Sequence, residues 1–355
     1  MTLARRALVA LLLALLLAVA CSSSPSEPTT PSRPDPPRVP KVTPLGAIVN
    51  PDATKFIRDG ASSGALGGKI VYTFGDTLFT SPAVDGRTSR SNTAAWAELA
   101  SPTVLHEPLD ANGLPSQLVP FTAEEQAYND STKRGDDRWV IWPGRIIARP
   151  GGATGFVYFD LFRIHPDHWE EIGTGVAELA AGAIVATRNP TLLFTAPEVG
   201  FIHAAFDKDG VVWLYGCAAG LCRLARAPLD QATKRAGYTF WTGDGFSPSY
   251  ADAAASIPGS TAGFSVQWNA YLSQYVSFAS SGIGRDVIMR VAPEPWGPWS
   301  DPTTVTSFAD GNVYAASQHP ALDLDGGRTI RVSAYHDRGN FQGDIELFSL
   351  ELVKR

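Results

Sequence analysis

Four carboxylates fall where the strands of a repeated β-unit would begin or end, so side chains from separate strands can meet there. They are Asp59 in Phe56-Ile57-Arg58-Asp59-Gly60, Asp76 in Phe74-Gly75-Asp76-Thr77, Asp160 in Val157-Tyr158-Phe159-Asp160, and Glu198. Converging carboxylates can supply the acid and the base or nucleophile of glycoside hydrolysis, and their separation sets the stereochemical course. Trp142, Gln267-Trp268-Asn269 and His319 add what sugar rings need, an aromatic face for stacking and polar groups for the hydroxyls. Each also has an ordinary structural use. Asp in a Gly-Asp-Thr turn caps backbone amides, Trp268 suits packing between sheets, and His319 could instead ligate a channel ion. No phosphate-binding G-x-x-x-x-G-K-[ST] loop, H-E-x-x-H pair or EF-hand loop occurs. No cofactor and no metal site are expected.

The elements that would position these residues are strands. Of the 355 residues 44% are hydrophobic and 10% aromatic, while 33 Gly and 27 Pro are many for a helical protein. A unit of strand, turn, strand, strand recurs. It is clearest at 201–206, 211–216, 221–228 and 238–242, with the turn Asp207-Lys208-Asp209-Gly210, and again at 264–270, 275–281, 286–293 and 299–305. Earlier units read as 55–62, 69–74 and 93–99, then 144–148, 156–162, 175–179 and 191–194. The last opens at His319 and continues through 329–335 and 345–352. Five units predict an all-β, five-bladed β-propeller over residues 43–355. The segment before residue 55 would supply the missing outer strand of the last blade, and residues 101–138 form an insertion or lid. In that geometry the starts of inner strands and the ends of second strands share one face, which groups Asp59, Asp76, Asp160 and Glu198.

The N-terminus reads as an export signal. Residues 1–20 join Arg5 and Arg6 to an apolar run, and Ala18-Val19-Ala20-Cys21 followed by serines is laid out like a bacterial lipobox, with acylation at Cys21. An ordinary cleaved signal is the alternative. The run is shorter than the ~20 residues of a bilayer-crossing helix. Residues 21–42, rich in Pro and Ser, read as an extended tether. The expected location is the cell envelope, at the outer membrane where one exists, because Ser22 rather than Asp follows the cysteine. Cys217 and Cys222 then remain as an even pair in an oxidising compartment and read as a disulfide, with a zinc half-site as the alternative. A net charge of -6 argues against nucleic acid as a partner. The expected protein is a monomer that meets oligosaccharide or polysaccharide, and the membrane through its lipid.

The elements Arg58-Asp59-Gly60, Phe74-Gly75-Asp76-Thr77, Ser91-Asn92-Thr93, Gln267-Trp268-Asn269-Ala270-Tyr271-Leu272, Gly297-Pro298-Trp299-Ser300 and His319-Pro320 together resemble the domain-of-unknown-function 4185 family. The resemblance covers about residues 45–353. It implies a secreted or lipid-anchored five-bladed propeller, with endo-D-arabinanase activity in some members, and adds Arg58 and Asn92 as substrate contacts. A more distant likeness to arabinanase and xylosidase propellers implies Asp59 as base and Glu198 as acid. Blade two opens on Trp142-Pro143-Gly144 without a carboxylate, so Asp160 or Asp76 would take the third role. Two functions follow as expectations: a surface glycosidase acting on a furanose-rich or other polysaccharide, and a non-catalytic propeller that binds glycan or an envelope protein. Replacing Cys21 by Ser should release soluble protein or leave the precursor unprocessed; unchanged membrane fractionation and processing would refute acylation.

Overall fold

The computed structural model describes residues 32–355 apart from 53, 133–136, 261, 283 and 340–341. The signal and the first half of the tether, residues 21–31 with Cys21, lie outside the described residues. No helix among the described residues is long and apolar enough to cross a membrane.

The chain is all-β, and its strands form antiparallel meanders. Sheet 1 orders Ser62–Leu66, Lys69–Phe74 and Thr93–Ala97. Sheet 2 runs Arg138–Ala148, Thr154–Ile164, Trp169–Ala180 and Thr187–Arg188, with Phe194–Thr195 also paired to the third strand. Sheet 3 begins Ala204–Lys208, Val211–Ala218, Leu221–Pro228 and Thr239–Trp241. Sheet 4 comprises Phe264–Asn269, Gln274–Ser280, Asp286–Ala292 and Thr303–Ser307. Sheet 5 places Asn312–Gln318 beside Thr329–Asp337 and Gly343–Val353, and its outer strand is Arg38–Ala47 from the start of the chain. A small separate sheet joins Phe56–Arg58, Thr77–Phe79 and Ser89–Arg90.

Local chemistry explains these elements. Strands such as Lys69–Phe74 (KIVYTF) and Val211–Ala218 (VVWLYGCA) are rich in β-branched and aromatic residues. Asp209 and Gly210 both have positive φ (53° and 76°), as a tight hairpin between right-twisted strands requires. Ala219 and Gly220 do the same between Cys217 and Cys222, which therefore lie directly opposite each other and form the disulfide. Their Cα atoms are 3.9 Å apart, closer than most bridged pairs.

Several sequence boundaries need correction. The first strand of sheet 1 is Ser62–Leu66, not residues 55–62, whose first part belongs to the small sheet. Sheet 5 opens at Asn312, so His319 follows its first strand rather than starting it. The outer strand of sheet 4 is Thr303–Ser307 instead of residues 299–305. The outer strand Arg38–Ala47 also begins inside the segment read as tether. Residues 101–138 contain the α-helix Ala123–Ser131, which the sequence reading missed although Thr122 and Glu125 form a capping box. Glu125 then ties the helix to sheet 2 through a bidentate ion pair with Arg188, at 2.5 and 3.0 Å.

Apolar clusters fill the gaps between sheets. One packs Ile70, Tyr72 and Phe74 of sheet 1 against Tyr335, Ile345 and Leu347 of sheet 5; others join sheets 1 and 2, 2 and 3, 3 and 4, and 4 and 5. At the centre Arg145 of sheet 2 donates through Nε to Ser63 O (2.9 Å) and through Nη1 to Gln267 Oε1 (2.7 Å). Asp207 and Asp323 supply negative charge, although burial pulls the guanidinium pKa down to about 10. Arg145→Leu would strand these acceptors and carboxylates. It should lower unfolding stability by about 3–5 kcal/mol, read from urea denaturation; a loss under about 1 kcal/mol would show that the contacts are dispensable.

Candidate active site

Asp59 and Asp76 owe their meeting to the small sheet. Asp59 follows Phe56–Arg58, Asp76 precedes Thr77–Phe79, and the antiparallel pairing of Arg58 with Thr77 brings both to one end. There Asp59 N–H donates to Asp76 O at 3.1 Å, and Gly75 N–H donates to Asp59 O at 3.0 Å. A Cβ on Gly75 would stand 2.6 Å from Asp59 Oδ1, so only glycine allows this approach. Sheet 5 supplies the third contact. A register shift between Tyr314 and Ser317, with Ala315 at φ 53°, accompanies a Tyr314 hydroxyl that donates to Asp59 Oδ2 at 2.8 Å.

Asp160 lies in the second strand of sheet 2, opposite Trp142 on one side and Thr174 on the other. It is 1% exposed, and Thr174 Oγ1 donates to its Oδ1 at 2.5 Å. Trp142 connects the two acidic centres, since its indole N–H donates to Asp76 Oδ1 at 3.3 Å. All four residues line one cavity of about 650 Å³, together with Arg138, Tyr314, His203 and the rings of Phe162 and Trp169. Trp169 is 64% exposed, and its ring centroid lies 5.3 Å from that of Trp142, a pair of aromatic surfaces that solvent can reach. Two further cavities, of about 640 and 150 Å³, are also lined by Asp76 and Arg138. These two residues therefore stand where three spaces adjoin.

The electrostatics favour retained protons. Burial, and then the charge of Asp76, raise the Asp59 pKa to about 7, against the opposing hydrogen bond from Tyr314. Burial also raises Asp76, with Trp142 and Arg138 pulling the other way. Asp160 is pushed well above the carboxylate range by burial and by Glu171. Burial holds His203 down at about 4, hence neutral; its Nδ1 accepts from Cys217 N–H at 3.2 Å. Among the described residues no cluster of three or more His, Cys, Asp or Glu is placed to hold a metal ion.

The other sequence candidates lie elsewhere. Glu198 is outside the cavity lining, ion-paired with Arg235. Arg58 lines the 150 Å³ cavity but is bound by Glu107 at 2.5 and 3.1 Å, sandwiched by Phe56 and Phe74. Asn92 is fully buried, donating to Ile141 O and accepting from Val119 N–H. Gln267 accepts from Arg145, and Asn269 bridges Gly327 O and Leu272 N–H. Trp268 packs edge-on against Tyr275 beneath Lys208. His319 is 0% exposed between Ser63 and Ser333, at 2.7 and 2.8 Å. For Glu198, Arg58, Asn92, Gln267, Asn269 and His319 a polar group that looked free along the chain is satisfied by a remote partner. Sequence reasoning missed Arg138, Tyr314, Trp169 and His203 at the cavity; only the aromatic character of Trp169, beside a strand end, was a usable signal.

A family model described as Domain of unknown function (DUF4185) matches residues 176–337. No curated protein matches the chain significantly. Among solved structures, a proposed hydrolase from Bacteroides ovatus aligns with a TM-score of 0.63 at 17% identity, over 86% of each chain. The GH43_1 enzyme from Xanthomonas citri, complexed with xylotriose, gives 0.53 at 12% identity, over 86% of this chain and 90% of that one. A GH43 beta-xylosidase/alpha-arabinofuranosidase from a compost microbial metagenome, also with xylotriose, gives 0.51 at 13%, over 87% and 94%. At these identities the likeness is one of fold.

Because the folded protein holds the Asp59 proton more tightly than the unfolded chain does, stability should fall as pH rises from about 4 to about 7 and gain nothing from Asp59 above that. Asp59→Asn should flatten this slope by up to about 1.4 kcal/mol per pH unit, measured as urea unfolding from pH 4 to 8. An identical slope in the variant would exclude a raised Asp59.

Proposed function

We propose that the protein is a glycoside hydrolase acting on an oligosaccharide or polysaccharide, furanose-rich chains among them, carried on a five-bladed propeller and anchored to the cell envelope through Cys21. The observation that carries this reading is the cavity in which Asp59, Asp76 and Asp160 meet Trp142. Acid-base chemistry needs carboxyls in different protonation states at one pH; burial raises all three here, and the proximity of Asp59 and Asp76 lets those two share one proton. The propeller reading is supported by the recurrence of four-stranded meanders and by the apolar cluster between sheets 5 and 1. The fold neighbours bound to xylotriose support a saccharide as ligand, and the adjoining cavities at Asp76 leave room for more than one ring.

In this scheme Asp160, kept protonated, gives its proton to the leaving oxygen as the glycosidic C–O bond breaks. The Asp59–Asp76 pair shares a proton and carries the negative charge. It accepts a proton from the water whose hydroxyl joins the anomeric carbon. Tyr314 fixes Asp59, Trp142 fixes Asp76, and the exposed Trp169 offers a stacking surface at the cavity. Purified protein without its leader, screened against plant, fungal and bacterial glycans, should hydrolyse at least one. Asp59→Asn and Asp160→Asn should each lower that rate by about 10²–10⁴-fold with the fold retained, and Trp142→Ala should raise KM. Full activity in both Asp variants would refute the assignment, and binding without hydrolysis would establish a glycan-binding module instead.

A further inference from the structure

Glu198 is committed to Arg235, yet a different glutamate, Glu171, approaches Asp160 at Gly200. Glu171 and Phe162 are opposite each other in the ladder of sheet 2. Phe162 is two residues from Asp160, and Trp169 is two residues from Glu171, so all four side chains belong to one face of the pleat. Three of them, Asp160, Phe162 and Trp169, line the cavity. A Cβ built on Gly200 would lie 2.3 Å from Asp160 Oδ2 and 2.3 Å from Glu171 Oε1. The two carboxyls therefore converge on a gap that exists only because residue 200 is glycine. Asp160 Oδ1 is already taken by Thr174, which leaves Oδ2 as the atom turned toward Glu171.

We propose that Glu171, packed against Asp160 across Gly200, is a positioning residue that keeps the Asp160 proton in place for transfer into the cavity. This rests on the glycosidase reading and names the group that sustains its acid. Two carboxyls so close cannot both ionise without repulsion, so one proton stays with the pair. Asp160 is the buried member, whereas Glu171 is exposed and can exchange with water. After Asp160 has protonated the leaving oxygen, its carboxylate regains a proton through the Glu171 carboxyl, which is replenished from solvent. The neighbouring groups do not displace this arrangement. Burial raises Glu171 against the opposing backbone of Gly200, burial keeps His203 neutral, and Arg138, Asp76 and Asp337 line the cavity that Asp160 also lines.

The test compares the parent, Glu171→Gln, Glu171→Asp and Gly200→Ala, each checked for native near-UV circular dichroism. Carboxyl ¹³C NMR without substrate should show Asp160 titrating at a pH lower by about one unit or more in Glu171→Gln. On a hydrolysed glycan the alkaline limb of kcat should move down by the same amount, with kcat near neutrality reduced about 10-fold. Glu171→Asp should restore part of both effects, and Gly200→Ala, by forcing the carboxyls apart, should reproduce the Gln variant. An aryl glycoside with a good leaving group needs little proton donation and should be spared. An Asp160 titration or pH profile unchanged in Glu171→Gln overturns the role of Glu171 while leaving the glycosidase intact. A panel in which nothing is hydrolysed overturns the glycosidase, and this role with it.

Discussion

A single guanidinium at the centre of the molecule holds the architecture in register. Arg145 extends from sheet 2, donates to sheet 1 at Ser63 and to sheet 4 at Gln267, and answers the charges of Asp207 from sheet 3 and Asp323 beside sheet 5. Burying a cation is unfavourable unless its donors and its charge are both matched, and here the matching groups come from every other large sheet. Asp323 is itself fixed by Gln318 Nε2 at 2.6 Å and Arg331 N–H at 3.0 Å, so the polar centre continues into sheet 5. The arrangement is only as good as the placement of all five.

The strand that carries Arg145 also carries Arg138 and Trp142. A register shift between Pro143 and Ile146 breaks the simple alternation, so that Trp142 serves the cavity and Arg145 the centre. Any slip of this strand would disturb both. The packing of the centre and the shape of the cavity thus depend on one bulged strand, which carries both Arg145 and the Trp142 that reaches Asp76.

Near Trp142 two pairs of carboxyls approach each other, Asp59 with Asp76 and Asp160 with Glu171; Asp59, Asp76 and Asp160 line the cavity, as does Asp337. Each pair is held by glycine, at Gly75 and Gly200, where a methyl group would collide with a carboxyl oxygen. Close approach of like charges in a desolvated site raises their proton affinity, and the glycine backbone at these two positions is what permits that approach. The surrounding rings of Phe162 and Trp142 enforce the desolvation, while the exposed Trp169 keeps the site reachable.

The amino-acid sequence alone determined the β class, most of the strands, the hairpin at Asp209-Gly210 and the pairing of Cys217 with Cys222, because these rest on local alternation, turn chemistry and a five-residue separation. It also singled out Asp59, Asp76, Asp160 and Trp142, residues at strand ends whose types suit acid-base work on a sugar. It did not distinguish them from Asn92, Gln267, Asn269 and His319, which are equally polar and equally near strands. That distinction is tertiary: His319 is satisfied by Ser63 at a separation of 256 residues, and Gln267 by Arg145 at 122. Likewise Glu198 and Glu171 differ only in what lies opposite, Arg235 for one and Asp160 for the other. A period-two pattern states which side chains share a face; which remote group meets that face is decided when the sheets pack.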